Sequence, residues 1–323
     1  MNIAKRYALL GVLAITAATG ACNSFLTGGE LSNDPNRPVT STPQARFAGT
    51  QPSLWALLSS DMLRVNEVWV QHFEGLSTGA GQYLQIQDYT YDESTTGGFQ
   101  QGIYTGGGLV DLRELESEGR ASGDSLLLGT SQVVEAWMIG TEADLFGDVV
   151  YSQALTGTPN PTLDPQLQVY TAVQALLSDA ITNMAATGPT NFGPGSTGDI
   201  NYGGNPEKWT ALAHTLKARF YLHTAEVDPT AYQNAYTESQ QGILTSDGNY
   251  YAIYSGNVNE QNLWYQFVVV NRADYIRPNP FFVSFIGSDP RLRQYFNADQ
   301  SELSATRSSP TFSQPLVTAQ ENL

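Results

Sequence analysis

Cysteine is almost missing from this chain: among 323 residues there is one, Cys22. No intramolecular disulfide and no cysteine-based metal cluster can form from it. Basic residues are scarce too, 15 against 31 acidic ones, for a formal charge of −16. Holding a nucleic-acid backbone needs lysines and arginines to neutralise phosphates, and attraction to an anionic membrane surface needs the same residues. This balance excludes both. Charge of either sign is sparse, at 14% of residues, where soluble domains carry roughly 25%. Long hydrophobic runs are lacking beyond the first residues. Nothing reaches the roughly 20 apolar residues of a membrane-spanning helix, and Phe267 to Val270 is the longest later candidate. Aromatics and glycine are plentiful: 17 Tyr, 13 Phe, 5 Trp and 30 Gly. That content rules out a disordered chain, and the length allows one large or two ordinary domains.

The surroundings of Cys22 say more than its count. Lys5 and Arg6 form a positive start, Leu9 to Ala18 is apolar, and the small residues Thr19, Gly20 and Ala21 precede the cysteine. This is a secretory leader. It resembles a bacterial lipoprotein signal in which Cys22 is the lipidated, palmitate-bearing first mature residue, although Thr19 stands where that signal usually has leucine. A plain signal peptide with Cys22 as a bystander is the alternative. Loss of residues 1–21 removes two bases and no acid, which takes the charge from −16 to −18.

Residues 22–43 read as a tether rich in Asn, Gly, Pro and Thr, and residues 44–323 as a helical domain. Leu54, Leu57, Leu58, Met62, Val65 and Trp69 recur at three- and four-residue steps, the period of a helix face. Gly75 to Gly108 reads as a long loop, and loops of that length are often functional. Helical signal returns at 109–118. Gln132–Leu145, Gln166–Ala186 and Glu207–Ala225 carry the clearest apolar stripes, with Asp164-Pro165 as a cap signal before the second. A further helix runs to about Gly242, and Tyr250–Tyr254 and Trp264–Val270 read as short strands. The sequence therefore predicts a mainly α fold of tetratricopeptide-like helix pairs with long irregular loops, without a strict 34-residue consensus.

Signatures of catalysis do not hold together. Gly106-Gly107-Gly108 is followed by Leu-Val-Asp, which is neither a phosphate-binding loop nor a dinucleotide fingerprint. No HExxH occurs. His214 and His223 lie nine residues apart on one predicted helix, hence on opposite faces at 100° per residue, and cannot share a metal. Glu142, Asp144 and Asp148 surround the Phe146-Gly147 turn. A glycosidase needs two such carboxyl groups, but acids at a helix end more commonly hold backbone donors. The reading is non-catalytic, with no cofactor and no metal. The better lead lies in the aromatic, amide-rich loops: Trp69, Gln71, Tyr83, Gln85, Tyr89 and Tyr91, then Gln261, Asn262, Trp264 and Tyr265. Flat apolar rings beside neutral donors and acceptors suit a sugar, whose C–H face stacks while amides meet its hydroxyls, and they would equally suit a peptide. For any one aromatic, core packing is the competing explanation.

Four segments together resemble one family: NDPNRP at 33–38, DLFGDVVYSQAL at 144–155, DPQLQVYTAVQALLSDA at 164–180 and, most strongly, NPEKWTALAHTLKARFYLH at 205–223. With the leader, they resemble the SusD/RagB-like outer-membrane lipoproteins, particularly their second subgroup. Val150 replaces a usual proline and His214 a usual asparagine. The resemblance implies a lipid-anchored, surface-exposed protein of the outer membrane. Such a protein captures an oligosaccharide, or in some members a peptide, and delivers it to a SusC-like TonB-dependent transporter. It implies a binding protein rather than an enzyme. Against the usual family length, the sequence ending PLVTAQENL reads as a C-terminal truncation of the SusD-like fold. A helical-repeat scaffold that binds only protein is the alternative of a different class.

Overall fold

The computed structural model describes residues 41–79, 81–90, 92, 97–298, 300–304 and 307–319. Cys22, the 33–38 motif and Tyr91 lie outside the described residues. Residues 1–42 and 43–323 are separate units, and the second carries the fold. Its helices are α1 (Pro43–Ser59), α2 (Asp61–Trp69), α3 (Leu84–Gln87), α4 (Gly97–Ile103), α5 (Leu109–Ser122), α6 (Ser125–Phe146), α7 (Gln166–Ala185), α8 (Pro206–Leu222) and α9 (Ala231–Ser239). Three short helices follow: α10 (Leu263–Tyr265), α11 (Pro280–Ile286) and α12 (Leu292–Tyr295). Two antiparallel ladders complete it: β1 (Phe73–Gly75) with β3 (Ile276–Pro278), and β2 (Tyr250–Ala252) with β4 (Gln314–Val317). The fold is mainly α.

Helices α5 to α9 stack in sequence, each packed on the next, so that each repeat buries its neighbour's apolar face. The centre is α6. The Asp124 carboxylate accepts the Leu127 N–H at 3.0 Å as its N-cap, and residues from Leu126 through Ala143 are buried on nearly every side. A helix enclosed by neighbours has no polar face to keep. Two glycines permit this. A Cβ on Gly129 would lie 2.7 Å from the Met184 Cγ of α7, and one on Gly140 2.3 Å from the Phe220 ring of α8.

The strongest sequence motif explains itself at the start of α8. Asn205 caps the helix by accepting the Lys208 N–H at 3.0 Å, and Pro206 occupies the first turn. Just before it, the buried Asp199 carboxylate accepts four N–H groups: Asn201 and Tyr202 at 3.1 Å, Gly204 at 2.8 Å and the Trp209 indole at 2.7 Å. This fixes the Gly/Pro loop to the main core, where Trp209, Tyr202 and Tyr250 meet edge-on.

Several expectations need correction. Asp164 does not cap α7. Asp148, at the end of α6, accepts the Gln166 N–H at 2.9 Å instead. Asp164 turns back to accept the Tyr151 and Ser152 N–H groups at 2.9 and 2.7 Å, which closes the loop at the Val149–Asp164 bridge. Residues Trp264–Val270 are not a strand. They form α10 running into a π-helical turn, Gln266–Asn271, started by the Asn262 side chain accepting the Tyr265 N–H at 2.9 Å. The Gly75–Gly108 stretch contains α3 and α4 rather than loop alone. Tyr250–Tyr254 does contain a strand, β2.

A smaller core lies apart from the helical stack: Val65, Val68, Phe73, Tyr83, Ile86, Trp264, Ile276, Leu292 and Phe296. It carries α2, α3 and the β1–β3 ladder.

Candidate ligand site

Helices α2 and α3 end in the same way. After α2, the Gln71 N–H donates to the Val68 carbonyl at 3.0 Å and the His72 N–H to the Glu67 carbonyl at 2.9 Å. After α3, the Tyr89 N–H donates to Ile86 at 3.1 Å and the Thr90 N–H to Gln85 at 2.8 Å. Each pair is a Schellman motif, whose turning residue takes the left-handed region and is normally glycine. Here the turning residues are Gln71, at φ 61°, and Tyr89, at φ 57°. A side chain in that region costs about 1–2 kcal/mol. Strain held at two adjacent helix ends is the kind that clusters at functional sites.

The two strained residues touch. The Gln71 side-chain amide donates to the Tyr89 hydroxyl at 3.0 Å, and that hydroxyl donates to the Trp69 carbonyl at 3.0 Å. The Trp69 and Tyr89 rings meet edge to face, 4.6 Å between centroids at 86°. Both rings remain open to solvent, at 38% and 51% exposure, with Val70 exposed between them in sequence. Two orthogonal rings and a neutral amide thus form one exposed platform. Among the described residues no group of three His, Cys, Asp or Glu side chains could hold a metal ion.

The remaining candidates go elsewhere. Tyr83 is buried. Its hydroxyl donates to Asp61 at 2.8 Å and accepts from the Arg64 Nε at 2.9 Å, and burial pushes the phenol up to about 12. It pins the loop before α3 to α2 and has no face left for a ligand. Asn262 is also buried, capping α10 and donating to the Phe312 carbonyl at 2.9 Å; its role is structural. Trp264 packs edge-on against Phe73 at 5.0 Å. It forms part of the wall of a separate cavity of about 430 Å³ with Ile276, Asp274, Arg277 and Glu302, so only its margin is available. Tyr265 and Gln261 are half-buried and Gln85 is exposed.

Of the carboxylates near Gly147, Asp144 and Asp148 are engaged internally. Asp144 accepts the Tyr170 hydroxyl at 2.6 Å and lies 2.7 Å from the His223 Nδ1. Asp148 caps α7, and Glu142 is fully buried. His214 instead faces Glu238 of α9, 2.6 Å away, so the two histidines do point to different neighbours.

One feature escaped sequence reasoning. Phe281 and Phe285 of α11 stack in parallel on the surface, 68% and 79% exposed, with centroids 6.5 Å apart. Asn279-Pro280 is a cap signal, and phenylalanines four residues apart behind it share a helix face; the short span hid them.

The architecture is thus a stack of helices with a smaller core that carries an exposed aromatic platform. The family described as "Starch-binding associating with outer membrane", SusD-like_2, matches residues 35–308, and the chain belongs to it. Solved structures share the fold. A SusD/RagB family protein from Bacteroides thetaiotaomicron has a TM-score of 0.68 at 22% identity, over 78% of this chain and 53% of its own. A chitin-binding SusD homologue from Flavobacterium johnsoniae has 0.70 at 18% identity, over 85% and 64%. Another SusD-like protein from Bacteroides thetaiotaomicron has 0.65 at 19% identity, over 85% and 63%. The chain thus spans between about half and two thirds of the length of these structures. No curated protein matches its sequence.

Proposed function

We propose that this protein captures an oligosaccharide at the outer membrane surface through Trp69, Tyr89 and Gln71, and delivers it without chemistry to a SusC-like TonB-dependent transporter. The carrying observation is the exposed edge-to-face pair built on two strained helix ends. A sugar ring would lie with its C–H face on Trp69 or Tyr89 while the Gln71 amide meets a hydroxyl. The proposed organisation is a lipoprotein leader at 1–21, a tether at 22–43 acylated on Cys22, and the binding domain from 44 to 323. Family membership and the chitin-binding homologue of similar fold support a glycan over a peptide.

Titration of the folded protein with soluble oligosaccharides, chitin and starch fragments included, tests this. Saturable binding that weakens in Trp69→Ala is expected. Binding of peptides alone, with no oligosaccharide bound, would overturn it. Mass spectrometry of the protein from its native membrane is expected to find acyl chains on Cys22.

A further inference from the structure

Two glutamates are buried on the packed helices α5 and α6, Glu116 of α5 and Glu135 of α6, and a third, Glu142, is buried further along α6. Glu116 Oε2 accepts from the Arg120 guanidinium at 2.8 Å. Glu135 Oε1 accepts from the Arg113 Nε at 3.3 Å and from the Tyr151 hydroxyl at 3.1 Å. The other oxygen of each carboxyl, Glu116 Oε1 and Glu135 Oε2, is buried without an N–H or O–H partner. Arg113, one turn before Glu116 on α5, reaches Glu135 across the packed α5–α6 contact, so the two half-partnered carboxyl groups belong to one buried cluster, and the Glu135 charge acts on Glu116. Ionised carboxylates only accept, and two of them side by side repel. A proton between them supplies the missing donor and satisfies both orphaned oxygens at once.

We infer that Glu116 and Glu135 share one proton across the α5–α6 contact, and that this proton is a pH-dependent latch on the helical scaffold. The surrounding charges are consistent with one proton rather than none. Arg120 is largely exposed, and Arg113 also donates to the Ala154 and Tyr151 carbonyls. From α1, Arg46 is turned to Glu114 and Glu118 on the far side of α5. Tyr151 and Tyr104, from the segments after α6 and α4, have phenols pushed up by burial and stay neutral donors. Asp164, beyond them, is spent on backbone N–H groups and held below the usual carboxylate range by the Ser152 and Tyr151 bonds, which outweigh its slight desolvation.

Burial first, and the Glu135 charge second, push the Glu116 carboxyl up to about 7 against the pull of Arg120. The unfolded chain gives up this proton near the ordinary value of 4.5, while the folded chain keeps it until about 7. The latch is therefore fully present below about pH 4.5, is lost as the pH rises through 7, and adds no further slope above that. Glu142, two turns along α6, is raised to about 7 by its own burial and has the same sign. The full chain is therefore compared with and without Glu116→Gln in a Glu142→Gln background. Between pH 5.5 and 8.5 the Glu116-containing protein is expected to lose about thirtyfold more of its folding equilibrium constant than the double variant, whose amide N–H replaces the proton at every pH. Equal pH dependence of the two proteins would overturn the inference. Infrared spectra of the Glu142→Gln protein give a second reading that needs no Glu116 substitution. A protonated-carboxyl stretch that titrates near pH 7 is expected, and its absence at pH 5.5 would also overturn the shared proton.

Discussion

Replacing Gln71 with glycine separates backbone strain from side-chain contact at the platform. Gln71 holds the left-handed turn at φ 61°, a conformation that costs a residue with a side chain about 1–2 kcal/mol. Glycine removes that cost but loses about 0.4–1 kcal/mol through the greater freedom of the unfolded chain. It also loses the exposed hydrogen bond to the Tyr89 hydroxyl, at the low end of about 0.5–1.5 kcal/mol. These contributions nearly cancel, so stability in urea is expected to change by less than about 1 kcal/mol with an unchanged slope. Alanine at the same position keeps the strain and loses the bond, and is expected to be the less stable of the two by about 1 kcal/mol. Oligosaccharide affinity should fall in both, by about three- to tenfold, because Tyr89 loses a restraint and the ligand an amide. Gln71→Gly with undiminished affinity would refute the assignment of Gln71 to the ligand site. A loss of more than about 2 kcal/mol would refute the account of its turn.

Other perturbations probe the scaffold. Gly140→Ala places a methyl 2.3 Å from the Phe220 ring and is expected to cost about 1–3 kcal/mol by overpacking, read from the urea midpoint. Asp199→Ala leaves the Tyr202, Gly204 and Trp209 N–H donors without an acceptor, while Asn201 keeps its bond to Gln51, and a loss of at least about 3 kcal/mol is expected, with loosened Trp209 packing visible in near-ultraviolet circular dichroism. Glu142→Gln removes a buried carboxyl raised to about 7. It should stabilise the protein at pH 8.5 relative to the parent and leave it little changed at pH 4, where both states of the parent are largely protonated. Tyr83→Phe is expected to destabilise by about 1–2 kcal/mol, by leaving Asp61 and Arg64 without their shared hydroxyl. It should leave oligosaccharide affinity unchanged, which a titration checks.

The helical stack was legible because its apolar residues recur at the helical period over long spans, as Val169, Val173, Leu177, Ala180 and Met184 do along α7. The cap signal misled at Asp164-Pro165, where an acid from 18 residues before Gln166 reaches the helix start first. The run from Phe267 to Val270 reads as strand because its valines are β-branched; the Asn262 cap and the Phe267 ring against Arg64, 4.1 Å away, fold it as a π turn. At the candidate site, Trp69, Gln71 and Tyr89 could be named from composition. Their convergence could not, because a left-handed turn is signalled by glycine and both turns here lack it. Tyr83, Asn262 and Trp264 have the same residue chemistry but sit in the smaller core, and burial separates them in a way no local pattern encodes.

The most direct measurement is calorimetric titration of the full-length protein and its Trp69→Ala and Tyr89→Ala variants with a panel of soluble oligosaccharides. The platform predicts saturable binding of at least one sugar, reduced about tenfold or more in each variant, with unfolding midpoints showing that both remain folded. Full affinity in both folded variants would contradict it.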